Sequence, residues 1–186
     1  MFARLSLTFL FVLGSVQAGT ISVSPASTSV TVGQSFGVTV NVNSIIDLYA
    51  YQFDLSFNPA VLQATSITEG SFLDEGGTAA TLFFGGTVDN VGGTVTTNAD
   101  SLETAVTGVS GLGILVAFQF RAIAAGSSQD EISNVFLLDS NLESIDAGIA
   151  NGTVNVVATP EPSCALLVAL GLGALFVRSR SCLSRW

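Results

Sequence analysis

The sequence of 186 residues predicts an all-β domain, an antiparallel β-sandwich of about nine strands. Short alternations of apolar and polar residues recur between Thr20 and Val157, and turns rich in Gly, Asn and Asp separate them. No long stretch combines the 3.6-residue period with the caps of a helix, and no repeat period is present. Strands that bury one face each are expected to pack as two sheets.

The first half of this region contains the clearest strands. Residues 21–23 and 30–32 alternate Ile or Val with Ser and Thr, and residues 36–42 alternate Phe and Val with Gly, Thr and Asn. Residues 49–57 carry an aromatic residue or Leu at every second position, and Asn58-Pro59 ends them because Pro cannot continue a central strand. The pattern therefore predicts four strands before residue 60.

The second half predicts shorter strands, over residues 61–68, 81–88, 94–99, 114–123, 132–138 and 153–157. In the fourth of these, Ile114, Val116, Phe118 and Phe120 are expected to share one face, and the opposite face is also partly apolar, as in the middle of a sandwich. The chain has thirteen Phe, and we expect them to provide most of the core, at roughly 1.5–3 kcal/mol for each buried ring.

These strand sequences resemble the cohesin domain. The similarity rests on Val32-Gly33-Gln34-Ser35, on the run from Asp47 to Pro59 followed by Val61-Leu62, and on residues 111–120. It spans about residues 21–157 and implies a nine-stranded jelly-roll sandwich related to carbohydrate-binding modules. It also implies binding of a dockerin domain through one sheet face. No binding residue is carried over, because that face has no fixed motif.

The composition argues against an enzyme. The chain contains no His and no Lys, and residues 19–159 contain no Cys and a single Arg, so His-based and Lys-based catalysis is excluded. A glycosidase that uses carboxylates alone is the least favoured alternative, because nothing local pairs the acidic residues of the strands and turns. Those residues are Asp47, Asp54, Asp74, Glu75 and Asp89. We therefore predict no catalytic residues.

No metal site and no cofactor are predicted, although calcium remains an open alternative. The spacing of three oxygen-bearing residues, at i, i+2 and i+4, is half of a calcium loop, but the glycine of an EF-hand is missing. These residues are Asp139, Asn141 and Glu143, and two further pairs of neighbouring acids, Asp74-Glu75 and Asp130-Glu131, offer comparable oxygens. Ordinary turns explain each of them without a metal.

The N-terminus predicts a secretory signal peptide over residues 1–18. Arg4 precedes an apolar stretch over residues 7–13, and small residues precede a cleavage position between Ala18 and Gly19. The alternative, a first transmembrane helix, is disfavoured because the apolar part is too short. The sandwich is then expected to occupy residues 19–158.

The C-terminus, residues 159–186, predicts a membrane address. Pro160-Glu161-Pro162 is expected to be extended, and an apolar transmembrane helix is predicted over residues 163–177, before three Arg residues. About 14 apolar residues give about 21 Å of helix, short of a core of about 30 Å, so local thinning must cover the mismatch. The alternative is a helix buried in the domain core.

This order of segments resembles the PEP-CTERM sorting signal. The resemblance implies that Pro160, Glu161 and Pro162 are recognised by an exosortase, a membrane protease that removes the helix. The residue after Ser163 is Cys164, where many members have Thr.

Residues 19–159 contain thirteen acidic residues and one Arg, a net charge of −12 that repels nucleic acid. The sequence as a whole predicts an exported, non-enzymatic binding or adhesion module of the cell envelope or the extracellular polysaccharide matrix. Its expected partner is carbohydrate or a dockerin-like protein, and a passive structural role, with or without calcium, is the alternative. Before processing, the C-terminal helix would anchor it in the membrane; afterwards it would lie at the cell surface or in the matrix.

Overall fold

A computed structural model describes residues 19–104 and 107–159. In these two ranges the chain forms ten strands and no helix, so the predicted all-β class is confirmed. The strands are β1 (Gly19–Ser24), β2 (Ser27–Thr31), β3 (Ser35–Ser56), β4 (Leu62–Glu69), β5 (Phe84–Asp89), β6 (Thr94–Ser101), β7 (Val109–Ala122), β8 (Gly126–Asp139), β9 (Ala147–Ala150) and β10 (Gly152–Val157).

Strand β3 is a single strand of 22 residues, where the sequence predicts two. Its pairing shifts register between Val42 and Ile45 and again before Leu48, and Ser44 and Asp47 adopt left-handed φ angles of 54° and 59°. These irregularities interrupt the apolar alternation without ending the hydrogen-bonded ladder. The prediction of two strands was therefore wrong at this point, because a bulge and a loop look alike in the sequence pattern.

The bend in β3 divides the fold into two packed sheets. The first sheet has the order β9-β1-β3-β7-β4, with the first half of β3 at its centre. The second sheet has the order β2-β10-β8-β3-β6-β5, with the second half of β3 at its centre. Two edge pairs, β1 with β9 and β2 with β10, are parallel, and the other pairs are antiparallel.

Aromatic residues from both sheets meet in the core, as expected from the number of Phe. Phe53 of β3 packs edge-to-face on Phe118 of β7 at 6.4 Å between ring centroids, and Phe57 packs on Phe120 at 5.2 Å. These four rings are buried. Contacts of this geometry add to the hydrophobic gain of burial and fix how the sheets face each other.

Strand β7 departs from the predicted face. Val116, Phe118 and Phe120 are buried as expected, but Ile114 is 36% exposed and Leu115 takes a buried position instead. The cause is a register shift opposite Val40 and Asn41, which changes the phase of the alternation at this end of β7.

The predicted signal peptide and the predicted C-terminal sorting signal lie largely outside the described residues. Gly19 is the first residue of β1 and Val157 the last of β10. The predicted signal peptide with Ala18, the Pro160-Glu161-Pro162 motif and the predicted helix over residues 163–177 fall beyond these limits. Among the residues that are described, no helix long and apolar enough to cross a membrane is found.

Candidate functional site

The outer face of the second sheet carries an apolar groove of about 460 Å³. It crosses four neighbouring strands, β8, β3, β6 and β5. Small side chains form its floor and larger apolar ones its sides, so a partner can come close to the sheet backbone. The lining residues are Ala50, Tyr51, Gln52, Leu82, Phe84, Ala99, Asp100, Ser101, Phe136 and Leu138.

Three large apolar side chains of this groove are open to solvent. Phe84 of β5 is 52% exposed, Phe136 of β8 is 60% exposed, and Leu82, just before β5, is 67% exposed. The register explains the orientation: Phe84 pairs with Ala99 and Phe136 with Gln52, and all of these alternate with residues that point into the core. Apolar residues clustered on one exposed face mark an interaction surface.

Asp54 holds the same face together beside the groove. One carboxylate oxygen accepts a hydrogen bond from the Thr97 amide of β6 at 2.6 Å, and the other accepts one from the Asn134 side chain of β8, also at 2.6 Å. Asp54 alternates with the buried residues Phe53 and Leu55 and so lies on the outward side of β3. Its two oxygens thus accept hydrogen bonds from β6 and β8, so Asp54 links these two strands to its own strand, β3, on the outer surface.

A pair of carboxyl groups lies under the groove. Asp100 of β6 is only 4% exposed, and its side chain lies within hydrogen-bonding reach of Glu69 at the end of β4. Burial first, and then the nearby Glu69 carboxylate, raise the pKa of Asp100 to about 7. The Ser101 amide donates to Asp100 at 2.8 Å, and the Thr81 hydroxyl donates to Glu69.

Sequence reasoning missed this pair because the predicted strand ended at residue 99, one residue before Asp100. A usable signal exists in the pattern: in β6, Val95, Asn98 and Asp100 are buried, with the left-handed residue Thr97 shifting the alternation between them. An acidic residue at a strand position that the alternation places in the core indicates an unusual environment.

The proposed calcium residues of the last loop form an ordinary turn. One oxygen of Asp139 accepts hydrogen bonds from the backbone amides of Asn141 and Glu143, each at 2.8 Å. The i, i+2, i+4 spacing is thus explained by backbone donors that face the carboxylate. In residues 19–104 and 107–159 no group of three acidic, His or Cys side chains is placed to hold a metal ion.

The other two acidic pairs are not joint oxygen sources. In the 74–75 turn, Asp74 accepts the Gly76 amide at 2.9 Å, as a turn-forming Asp does. Asp130 is buried in the core while its neighbour Glu131 is exposed, because successive residues of β8 point to opposite faces. Their carboxylates cannot bind one cation together.

Asp47 on β3 and Asp89 at the end of β5 also accept hydrogen bonds from nearby loop residues. The Ser140 hydroxyl donates to Asp47 at 2.6 Å and the Gly108 amide does so at 2.6 Å, and these bonds lower the pKa of Asp47. Two turn amides, from Gly92 and then Val91, lower the pKa of Asp89 in the same way. The carboxylates weighed for a glycosidase are thus spread over the fold: Asp47 and Asp54 lie on β3, Asp74 and Glu75 in one turn, and Asp89 at the end of β5.

The family model of the cohesin domain matches residues 21–156. The chain belongs to the cohesin family. The resemblance to cohesins and the cohesin-like sandwich predicted from the sequence are therefore confirmed. Cohesins are non-catalytic protein-binding modules, which supports the prediction that this chain is not an enzyme. No curated protein matches the sequence.

Solved cohesin structures share the fold at low sequence identity. A non-cellulosomal cohesin from Archaeoglobus fulgidus matches with a TM-score of 0.61 and 19% identity over 76% of this chain and 92% of that one. The sixth cohesin of scaffoldin B from Acetivibrio cellulolyticus, solved with a Cel5 dockerin, matches with a TM-score of 0.61 and 20% identity over 76% of this chain and 100% of that one. A cohesin of OlpA from Clostridium thermocellum, solved with a dockerin, matches with a TM-score of 0.62 and 11% identity over the same shares.

Proposed function

We propose that this cohesin is an exported module that binds a dockerin-type protein through the outer face of β8, β3, β6 and β5. The observation that carries the proposal is the apolar groove with Phe84, Phe136 and Leu82 exposed along it. The solved cohesins of OlpA and of scaffoldin B, which share this fold, are in complex with dockerins.

The groove offers enough apolar contact for a specific complex. Covering one half-exposed Phe contributes on the order of 1 kcal/mol or more, since complete burial of such a ring is worth roughly 1.5–3 kcal/mol. When a hot-spot side chain near the centre of an interface is truncated, the complex loses at least about 2 kcal/mol of binding free energy. Phe84 and Phe136 lie on different strands of the groove, so we expect both to act as such hot spots.

Charge indicates the chemistry of the partner. The described residues contain thirteen acidic side chains and the single cation Arg121. Asp54 and Glu103 each come two positions after a residue that lines the groove, Gln52 and Ser101. A partner with Lys or Arg around an apolar centre would complement this negative charge, and the rate of its association would fall as salt is added.

The test is binding of purified dockerin domains encoded in the same genome to the immobilised protein. We expect the double variant Phe84→Asp, Phe136→Asp to lose at least tenfold in affinity, because charges would be placed against the apolar centre. Leu112→Asp is the matched control, since Leu112 is also an exposed apolar residue but lies outside the groove. Equal losses in both variants, or no binding of any dockerin to the wild type, would reject the proposal.

Carbohydrate binding is a second candidate, and the same two exposed rings favour it because aromatic side chains can stack on sugar rings. A glycan array distinguishes the two candidates. Reproducible binding to one sugar class that disappears in the Phe84→Asp, Phe136→Asp variant would support carbohydrate as the ligand. A passive matrix role predicts that neither dockerins nor glycans bind, with or without added calcium.

The destination of the protein is also a proposal. The signal peptide over residues 1–18 would direct export with cleavage between Ala18 and Gly19, and Pro160-Glu161-Pro162 would direct exosortase processing from the membrane to the cell surface or matrix. Glu161→Ala should leave an uncleaved form in the membrane fraction. Processing at the normal rate in this variant would contradict the sorting role, and the mass of the recovered protein shows which ends were removed.

A further inference from the structure

The Asp100–Glu69 pair joins the two sheets at one end of the sandwich. Asp100 belongs to β6 in the second sheet and Glu69 to β4 in the first, and their carboxyl groups are within hydrogen-bonding reach. Two carboxylates so close in a buried position repel strongly, and such a pair is stable when it shares one proton. The proton belongs on Asp100, because Asp100 is 4% exposed whereas Glu69 is only half-buried and accepts the Thr81 hydroxyl.

Within residues 19–104 and 107–159, the groups around the pair provide no positive charge. Tyr51 of β3 faces both carboxyls, but its buried hydroxyl donates to the Leu115 carbonyl at 2.9 Å. Asp74, in the loop after β4, adds a further negative charge that raises the pKa of Asp100. Arg121, the one cation of the described residues, pairs with Gln63 near the start of β4, whereas Glu69 is the last residue of that strand. Loss of the shared proton therefore leaves an uncompensated repulsion.

The pair is connected directly to the side of the groove. The Leu82 amide donates to the Ser101 carbonyl at 2.8 Å, the Glu103 amide donates to the Ala80 carbonyl at 3.0 Å, and Thr81 bridges to Leu102. These bonds hold residues 80–82 against the end of β6, and the Thr81 side chain reaches down to Glu69. Leu82 and Phe84, two of the exposed groove residues, follow immediately.

We propose that the Asp100–Glu69 pair is a proton-dependent clasp: with one shared proton it holds residues 80–84 in place beside the groove, and without that proton it lets them loosen. Its consequence for binding rests on the proposed function of the groove: partner affinity decreases as the pH rises. The pKa of Asp100 is raised in the closed state, so the stabilisation is complete below about pH 4 and is lost as the pH rises through about 7.

Amide hydrogen exchange at Leu82 and Glu103 tests the clasp without a partner. After correction for intrinsic exchange rates, the opening equilibrium of these two amides is expected to rise at least about tenfold between pH 5 and pH 8 in the wild-type protein. Asp100→Asn keeps a donor toward Glu69 but cannot titrate, so its exchange should not change with pH. Glu103→Gln removes an exposed acid of the same segment and should retain the wild-type response.

A pH-independent opening in the wild type, or an unchanged pH response in Asp100→Asn, would overturn the proposal. If Asp100→Asn fails to fold, Glu69→Gln provides a second variant: it removes the facing carboxylate, so its response to pH should be smaller than that of the wild type. Carbon-13 NMR of the wild-type carboxyls provides a direct measurement. The Asp100 carboxyl should titrate near pH 7, and titration below pH 5 would overturn the proposal. Because none of these measurements uses a dockerin, failure of the groove to bind one would not be confused with failure of the clasp.

Discussion

Asp130 provides the most quantitative prediction from this structure. Its side chain is 1% exposed, one oxygen accepts a hydrogen bond from the Ser128 hydroxyl at 2.8 Å, and the other oxygen has no partner among the described residues. Burial raises the pKa of Asp130 to about 6, from 3.8, against the smaller opposite effect of Ser128. The neutral form therefore persists in the folded state up to about pH 6, and Asp130→Asn keeps this position neutral at every pH.

The magnitude follows from the difference of about two pKa units. At about 1.4 kcal/mol per unit, ionisation of Asp130 lowers the free energy of unfolding by up to about 3 kcal/mol at pH 7.5 relative to pH 3.5. The substituted amide leaves a donor without a partner, which costs about 1–3 kcal/mol. We expect Asp130→Asn to be neutral or up to about 2 kcal/mol more stable than the wild type at pH 7.5, and to be less stable at pH 3.5.

The assay is urea unfolding followed by far-UV circular dichroism at the two pH values. The diagnostic quantity is the change with pH in the stability difference between variant and wild type, about 3 kcal/mol, in which the cost of the amide cancels. Glu131→Gln is the control, because it makes the same charge change at the adjacent exposed position and should stay within about 0.5 kcal/mol at both pH values. A stability difference that is the same at pH 3.5 and pH 7.5 would refute the reasoning.

Further predictions concern the whole domain and its packing. The wild type should be most stable near pH 4, and urea midpoints across pH test this. As the pH rises from there, the raised pKa values of Asp100 and Asp130 cost stability, and as it falls, the lowered pKa values of Asp47 and Asp89 do. Phe53→Ala should lower the free energy of unfolding by about 3–5 kcal/mol, whereas truncation of the exposed Phe136 should change it by less than about 1 kcal/mol. Gly70→Ala should prevent normal folding, seen as loss of the cooperative urea transition, because its Cβ would lie 2.1 Å from the Ile114 carbonyl oxygen. Asp47→Asn should lower the urea midpoint at pH 7.5, because the charged acceptor of the Ser140 hydroxyl is lost.

The fold class could be predicted because strand alternation is a local property. Tyr51, Phe53 and Leu55 occur at every second position, and each is buried in β3 as the pattern requires. The continuity of β3 could not be predicted in the same way. Whether Ser44 and Asp47 begin a loop or form a bulge depends on hydrogen bonds to β7, a strand more than sixty residues later.

The candidate site could be predicted only in part. The expectation that one sheet face binds a partner came from the cohesin resemblance, and no pattern selected which Phe would be exposed. Phe84 and Phe136 resemble the core residue Phe118 in the sequence, and only the register of their strands turns them outward. The sequence pattern can place Asp100 at a buried position of β6, but its partner Glu69 comes from the other sheet and is set by tertiary packing.

The bend of β3 has a mechanical consequence. One uninterrupted backbone segment lies at the centre of both sheets, so neither sheet can be peeled away while the other keeps its middle strand intact. A pulling force on a ligand bound to the outer face of the second sheet would be transmitted through that segment to the first sheet. We therefore expect the module to resist loading as one cooperative body, with rupture beginning at its short parallel edges.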